Sequence, residues 1–122
     1  MKILLIDDEE DVRSIATLSL ARVGGMEVQT ASGGKEALEI AEAAQPDAIL
    51  MDRMMPDMDG RMTLVELRKI DAMRDVPVIF LTATALSSDV EELMAMGAVG
   101  VIAKPFNPMT LATQVKRILE RD

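Results

Sequence analysis

Residues 48–60, AILMDRMMPDMDG, decide how this chain is read. Ala48 to Met51 form a short apolar run, the pattern of a strand buried on both faces. Asp52 stands where that run stops. Pro56 and Asp59-Gly60 follow as turn formers that keep the chain irregular before a helix can begin. An acid at the end of a buried strand faces a crevice rather than open solvent. Taken alone, such an Asp is more often a turn or helix-capping residue. Its chemical meaning comes from three other strand-like runs that also end in polar residues.

The composition narrows the classes. At 122 residues the chain reads as one domain, 1–122, able to bury about two-thirds of its unfolded surface. It has no Cys, which fits a reducing cytoplasm. The start, MKILLIDDEE, holds one Lys and only four consecutive apolar residues, too short for a secretory signal. No run approaches a membrane span, so a soluble cytoplasmic protein without membrane contact is expected. The net charge of −8 argues against direct nucleic-acid binding, which relies on Lys and Arg neutralising phosphates. There is no basic tract, and Phe80 and Phe106 are the only aromatics. The absence of His removes His-based catalysis, His-ligated zinc and a phosphohistidine carrier role. Eleven Met residues fill the gaps that scarce aromatics leave.

Outward from the central stretch, strand and helix alternate. Lys2 to Ile6 reads as the first strand, followed by a helix with Val12, Ile15, Ala16, Ser19 and Val23 on one face and Gly24-Gly25 at its end. Met26 to Thr30 alternates and reads as an edge strand. Ser32 is the expected N-cap of a helix with Ala37, Ile40, Ala41 and Ala44 on its apolar face, and Pro46 stops it before the strand at 47–51. After the loop at 52–60, Arg61 to about Asp71 is helical, with Leu64 and Leu67 facing in. Val76 to Leu81 is the next buried strand. Ser88 with Glu91 reads as a capping box for a helix through Met96, ended by Gly97. Val99 to Ala103 is the last strand. Asn107 and Pro108 open a closing helix that buries Leu111, Ala112, Val115, Ile118 and Leu119.

Five such βα units imply a doubly wound parallel sheet with helices on both faces and right-handed crossovers. All five strands then point the same way, and ligands of such sheets bind at the edge where the strands end. That edge collects Asp7 and Asp8, Asp52, Thr82 and Lys104. Asp8, Glu9, Glu10 and Asp11 also suit a helix N-terminus. Clustered carboxylates repel and raise each other's pKa, which a hard divalent cation relieves; Mg²⁺ is the natural choice. Lys104 would answer an anionic group, and Pro105 after it argues for a fixed approach. Thr82 beside Ala83 offers a hydroxyl next to an opening. Carboxylate, metal pair, hydroxyl and lysine describe a site for phosphoryl transfer to Asp52.

The pieces LLIDDEEDVR, ILMDRMMPDMDG, VIFLTA and GAVGVIAKPF, in this order, resemble the receiver domain of two-component response regulators over essentially the whole length. The resemblance implies a flavodoxin-like (βα)5 fold, a three-layer α/β/α sandwich with strand order 2-1-3-4-5. It implies Asp52 as phosphoacceptor and Lys104 as the contact to the phosphoryl oxygen. Thr82 would be the switch hydroxyl. Asp8 would ligate Mg²⁺ directly, Asp7 chiefly through water, and the Met54 carbonyl would join Asp52 in the shell. Mn²⁺ is expected to substitute, and the Lys104–Pro105 bond is typically cis in the family. The implied partners are a sensor histidine kinase or histidine phosphotransfer protein and an effector protein downstream. The protein would then catalyse only its own phosphorylation and dephosphorylation.

Three positions depart from the family pattern. Val101 stands where many receivers carry an aromatic, three residues before the lysine. Val99, Gly100, Thr110 and Gln114 replace the acids and arginine usual in the winged-helix transcription-factor branch, so a monomer is expected rather than that branch's dimer. A stand-alone receiver of the chemotaxis-regulator kind, without an output domain, is expected. Rival readings fit less well. A haloacid-dehalogenase-type phosphatase wants a second Asp two residues after its nucleophile, where Glu9 follows Asp7. A flavin carrier needs a phosphate loop where DDEED would repel phosphate. A degenerate receiver acting as a scaffold would not keep a complete site.

Overall fold

The computed structural model describes residues 1–83 and 86–121. Its strands are β1 Lys2–Ile6, β2 Glu27–Ala31, β3 Ala48–Asp52, β4 Val78–Thr82 and β5 Gly100–Ala103. Between and after them lie the helices α1 Glu10–Leu18, α2 Gly34–Ala44, α3 Gly60–Leu67, α4 Ser87–Ala95 and α5 Leu111–Leu119. All strand pairs are parallel, and the order is β2-β1-β3-β4-β5, as expected. The register levels the strand ends: Ile6 lies beside Ala31 and Met51, Asp52 beside Leu81, and Thr82 beside Ala103. Every residue following an end therefore reaches the same rim.

Side-chain alternation sorts the sheet into two cores. Leu4, Ile6, Ile49, Met51, Val78 and Phe80 face α2, α3 and α4. Ile3, Leu5, Leu50, Ile79, Leu81 and Ile102 face α1 and α5. β3 and β4 are buried at all five positions, whereas β2, at the sheet edge, buries only Ala31. That is the difference between a continuous apolar run and an alternating one.

Several local expectations are corrected. Ile15 and Val23 are exposed; Ala16, Ser19 and Leu20 are the buried residues of the first helical segment. Ile15 sits in regular α1 beside the buried face that Ala16, Ser19 and Leu20 make at helical spacing, whereas Val23 falls in a π-turn over Ser19–Val23. It brings Gly24 so close to α5 that a Cβ there would lie 2.7 Å from that of Ala112. Ser32 is not the N-cap of α2. Gly33 is, and the Glu36 carboxylate reaches back to the Ser32 N–H at 2.8 Å. Ser88 does not cap α4 either, because the helix starts two residues earlier than such a cap requires, after Leu86, without a side-chain cap. Asn107 caps a turn, its Oδ1 accepting from the Met109 N–H at 2.9 Å, and regular α5 begins only at Leu111.

Two neighbouring helices differ in how they are fastened. Asp59 caps α3 by accepting from the Met62 N–H at 2.9 Å, and α3 buries Gly60, Thr63, Leu64 and Leu67. Among the described residues, α4 buries only Leu93.

Candidate functional site: an acidic crevice at the strand ends

The crevice begins at Asp7, the first residue beyond β1. Its backbone N–H still follows the ladder, donating to Ala31 O at 3.1 Å. Its carboxylate is fully buried, and Oδ1 accepts from the Glu9 N–H at 2.9 Å. The Arg13 guanidinium donates to the Asp7 carbonyl at 2.7 Å, tying the first turn of α1 to the strand end. Asp8 is exposed, as is Glu9.

Asp52 is the last residue of β3 and is 3% exposed. Its Oδ1 accepts from the Met54 N–H at 3.2 Å. The loop beyond it is stitched to its surroundings: the Arg53 N–H donates to Leu81 O at 3.1 Å, and the Gly60 N–H to Arg53 O at 2.8 Å. A Cβ on Gly60 would lie 2.5 Å from Asp52 O and 2.8 Å from a Phe80 ring carbon. Only glycine permits that approach, which gives the Asp59-Gly60 pair a packing reason as well as a turn-forming one.

Lys104 enters from β5. Its N–H donates to Thr82 O at 2.9 Å, and the Lys104–Pro105 bond is cis, as the resemblance implied. Its ammonium lies 2.7 Å from Asp7 Oδ2, 3.3 Å from Asp52 Oδ2 and 3.9 Å from Glu9 Oε1. Thr82, fully buried, closes the neighbouring strand. Asp7, Asp52 and Lys104 therefore meet in direct contact, the Met54 backbone adjoins Asp52, and Asp8 stands on the solvent side.

The charges of this group are out of balance. Burial pushes the Asp52 carboxyl up to about 6, and the negative charge of Asp7 pushes the same way; Lys104 and the Met54 N–H offset part of the effect. Burial works against the Lys104 ammonium, but the hydrogen bond to Asp7 and the charges of Asp52 and Asp7 outweigh it, holding its pKa above the ordinary lysine value. A carboxylate oxygen from each of Asp7, Asp8, Glu9 and Asp52 lies within 4.8 Å of the others. Four hard oxygen donors without a sulfur or imidazole suit Mg²⁺ or Mn²⁺ and disfavour zinc. Glu9 belongs to this group although its sequence position read as an ordinary helix-start acid. Its spacing after Asp7 and Asp8 was the available signal.

The sequence model of the response regulator receiver domain matches residues 3–116. The chain belongs to this family. Two curated relatives are the alkaline phosphatase synthesis transcriptional regulatory protein PhoP of Bacillus subtilis, 39% identical, and the "Probable transcriptional regulator ycf27" of Porphyridium aerugineum, 40% identical. Each match covers 98% of this chain, but 49% and 48% of those proteins. The chain thus spans about half the length of the curated relatives it matches. Among solved structures, the Vibrio cholerae chemotaxis protein CheY4 aligns with a TM-score of 0.89 at 35% identity, covering 96% of this chain and 97% of that one. The receiver domain is a regulatory unit of two-component systems, and its match points to no enzyme family. Among the described residues, no helix is long and apolar enough to cross a membrane.

Proposed function

We propose that this receiver accepts a phosphoryl group on Asp52 from the phosphohistidine of a sensor histidine kinase or histidine phosphotransfer protein. It then passes the modification to an effector protein as a change of conformation. One observation carries the reading. The buried Asp52 carboxylate, at the end of the central strand β3, has the Lys104 ammonium at 3.3 Å and shares the crevice with Asp7, Asp8 and Glu9. In the reaction an Asp52 oxygen bonds to phosphorus as the phosphorus–nitrogen bond of the donor breaks, and the imidazole nitrogen keeps that electron pair. With its pKa near 6, Asp52 is mostly ionised at neutral pH and needs no general base. Lys104 is within reach of the incoming oxygens and would exchange part of its contact with Asp7 and Asp52 for them. Asp8, Asp52 and the Met54 carbonyl would hold Mg²⁺, with Asp7 assisting through water. Bound there, the cation supplies charge neutralisation for the transferring group. Thr82, at the end of the adjacent strand, would act as the switch hydroxyl.

Intact mass after treatment with acetyl phosphate tests this. The parent chain should gain one phosphate with Mg²⁺ and none with excess chelator, and Asp52→Asn should gain none. Unchanged incorporation in Asp52→Asn would place the chemistry elsewhere.

A further inference from the structure

The residue after the acceptor has an arrangement that phosphoryl transfer itself does not need. Arg53 extends from the end of β3 toward α4, where its guanidinium lies 3.8 Å from Asp89 Oδ1. Both side chains are largely shielded, 15% and 21% exposed, so this pair is less screened than a surface one. It is also incompletely satisfied. Arg53 Nε is buried and has no hydrogen-bond partner among the described residues. Among the described residues, the other contact of the guanidinium is a weak one to Met54 Sδ at 3.8 Å. One turn further along α4, Glu92 is held by Arg61 of α3, a more exposed pair. Asp89 and Glu92 thus lie three apart on one helix, each gripped by an arginine rooted on the acceptor's side of the crevice. These ties matter more for α4 than they would for α3, since α4 has no side-chain cap and only Leu93 buried.

We propose that Arg53 is a positioning residue of the switch: it holds α4 through Asp89 while Asp52 is unmodified, and loosens that hold when a phosphoryl group on Asp52 adds negative charge. The inference rests on the reading of Asp52 as phosphoacceptor. A buried guanidinium with an unmet donor and one long ion pair is poorly held where it is. A phosphoryl group brings additional negative charge one residue away and competes with Asp89 for the same cation. Whatever contact Arg53 gives to the new anion is withdrawn from α4. The shift in α4 is bounded by the difference in Arg53's interactions between the two states.

A double-substitution cycle read by hydrogen exchange of the α4 amides tests this in the full chain. The cycle is run with Mg²⁺, without and with beryllofluoride, an anionic stand-in for a phosphoryl group on a carboxylate. In unmodified protein, Arg53→Ala and Asp89→Ala should each speed exchange across Ser87–Ala95 about two- to fivefold, the range expected of a single ion pair. The double variant should add little to either. Arg53→Lys should restore part of the protection, and Asp89→Asn serves as the near-isosteric check should Asp89→Ala destabilise the fold. With beryllofluoride the four proteins should converge. Coupling that persists unchanged with beryllofluoride would make the pair merely structural and overturn the inference alone. Additive effects in the unmodified state would overturn it as well. A parent chain that takes no phosphate from acetyl phosphate would overturn the Asp52 reading first, and this inference with it.

Discussion

Helices α3 and α4 follow one another in the chain and cover the same face of the sheet, yet different forces fasten them. α3 is capped by Asp59, buries Leu64 and Leu67, and approaches the backbone of Asp52 through Gly60. α4 lacks a side-chain cap, buries Leu93, and is tied to the rest by Arg53–Asp89 and Arg61–Glu92. Burial of apolar area is insensitive to salt and to nearby charge, whereas an ion pair responds to both. Under the function proposed above, one side of Asp52 has to stay in place and the other has to respond. The division between packing and charge meets both needs with adjacent elements.

The largest expected effect tests the packed side. Leu64→Ala should cost about 3 kcal/mol of global stability, read from denaturant midpoints at constant slope. A loss below about 1 kcal/mol would mean that α3 is not anchored by its core face. A smaller effect tests the charge stored between the two helices at Asp52. Its folded value near 6 exceeds its ordinary 3.8, so between those pH values the folded chain binds more protons than the unfolded chain. Stability contributed by this residue therefore falls as pH rises from about 4 to 6 and stays low above. Asp52→Asn should remove that slope and stabilise the protein at pH 7 by on the order of 2 kcal/mol. Equal slopes in parent and variant would show that Asp52 is not the strained group.

The next comparison concerns how the responsive side is reached. Val101 is half-buried against the α2–α4 core and, being β-branched, is stiff and short. The expected swing of a longer side chain is not available to it. Thr82→Ala should keep phosphorylation but weaken the beryllofluoride-induced amide shifts across α4, while Val101→Ala leaves them largely intact. The reverse pattern would route the signal through Val101. We expect the loop 82–88, which Thr82 begins, to be displaced with α4; Thr84 and Ala85 within it lie outside the described residues. The smallest effect is that of salt. Raising ionic strength to about 1 M shortens the screening length to about 3 Å and should speed exchange in α4 about twofold while leaving α3 unchanged. Parallel changes in both helices would erase the distinction between them.

Much of this was legible from residue order. The buried strands announced themselves as apolar runs, and parallel alternation placed Asp7, Asp52, Thr82 and Lys104 on one rim. What failed was set by tertiary context. Val23 leaves the expected face because a π-turn over Ser19–Val23 changes the helical period, and nothing in SLARV advertises one. The Ser32 and Ser88 caps are displaced by one and two residues, since Gly33 and Leu86 take those positions without a side-chain cap. Glu9 was overlooked because an acid beginning a helix has an ordinary explanation, and only its distance to Asp52 adds another. The Arg53–Asp89 pair joins residues far apart in sequence, so its existence depends on the packing angle of α4.

The ring closed by the Gly60 N–H on Arg53 O has a consequence for how this segment can vary. One end of the ring is pinned to Leu81 and the other allows no side chain, so the spacing from Arg53 to Gly60 is a fixed measure. Of the exposed letters within it, Met54 and Pro56 can be exchanged freely, whereas Asp57 has a left-handed backbone (φ 66°) that favours Gly or Asn in its place. An insertion or deletion there would carry the Met54 N–H away from the acceptor it touches. Diversity among descendants of this chain should therefore appear in the spelling of Met54 and Pro56 and not in the length of the segment.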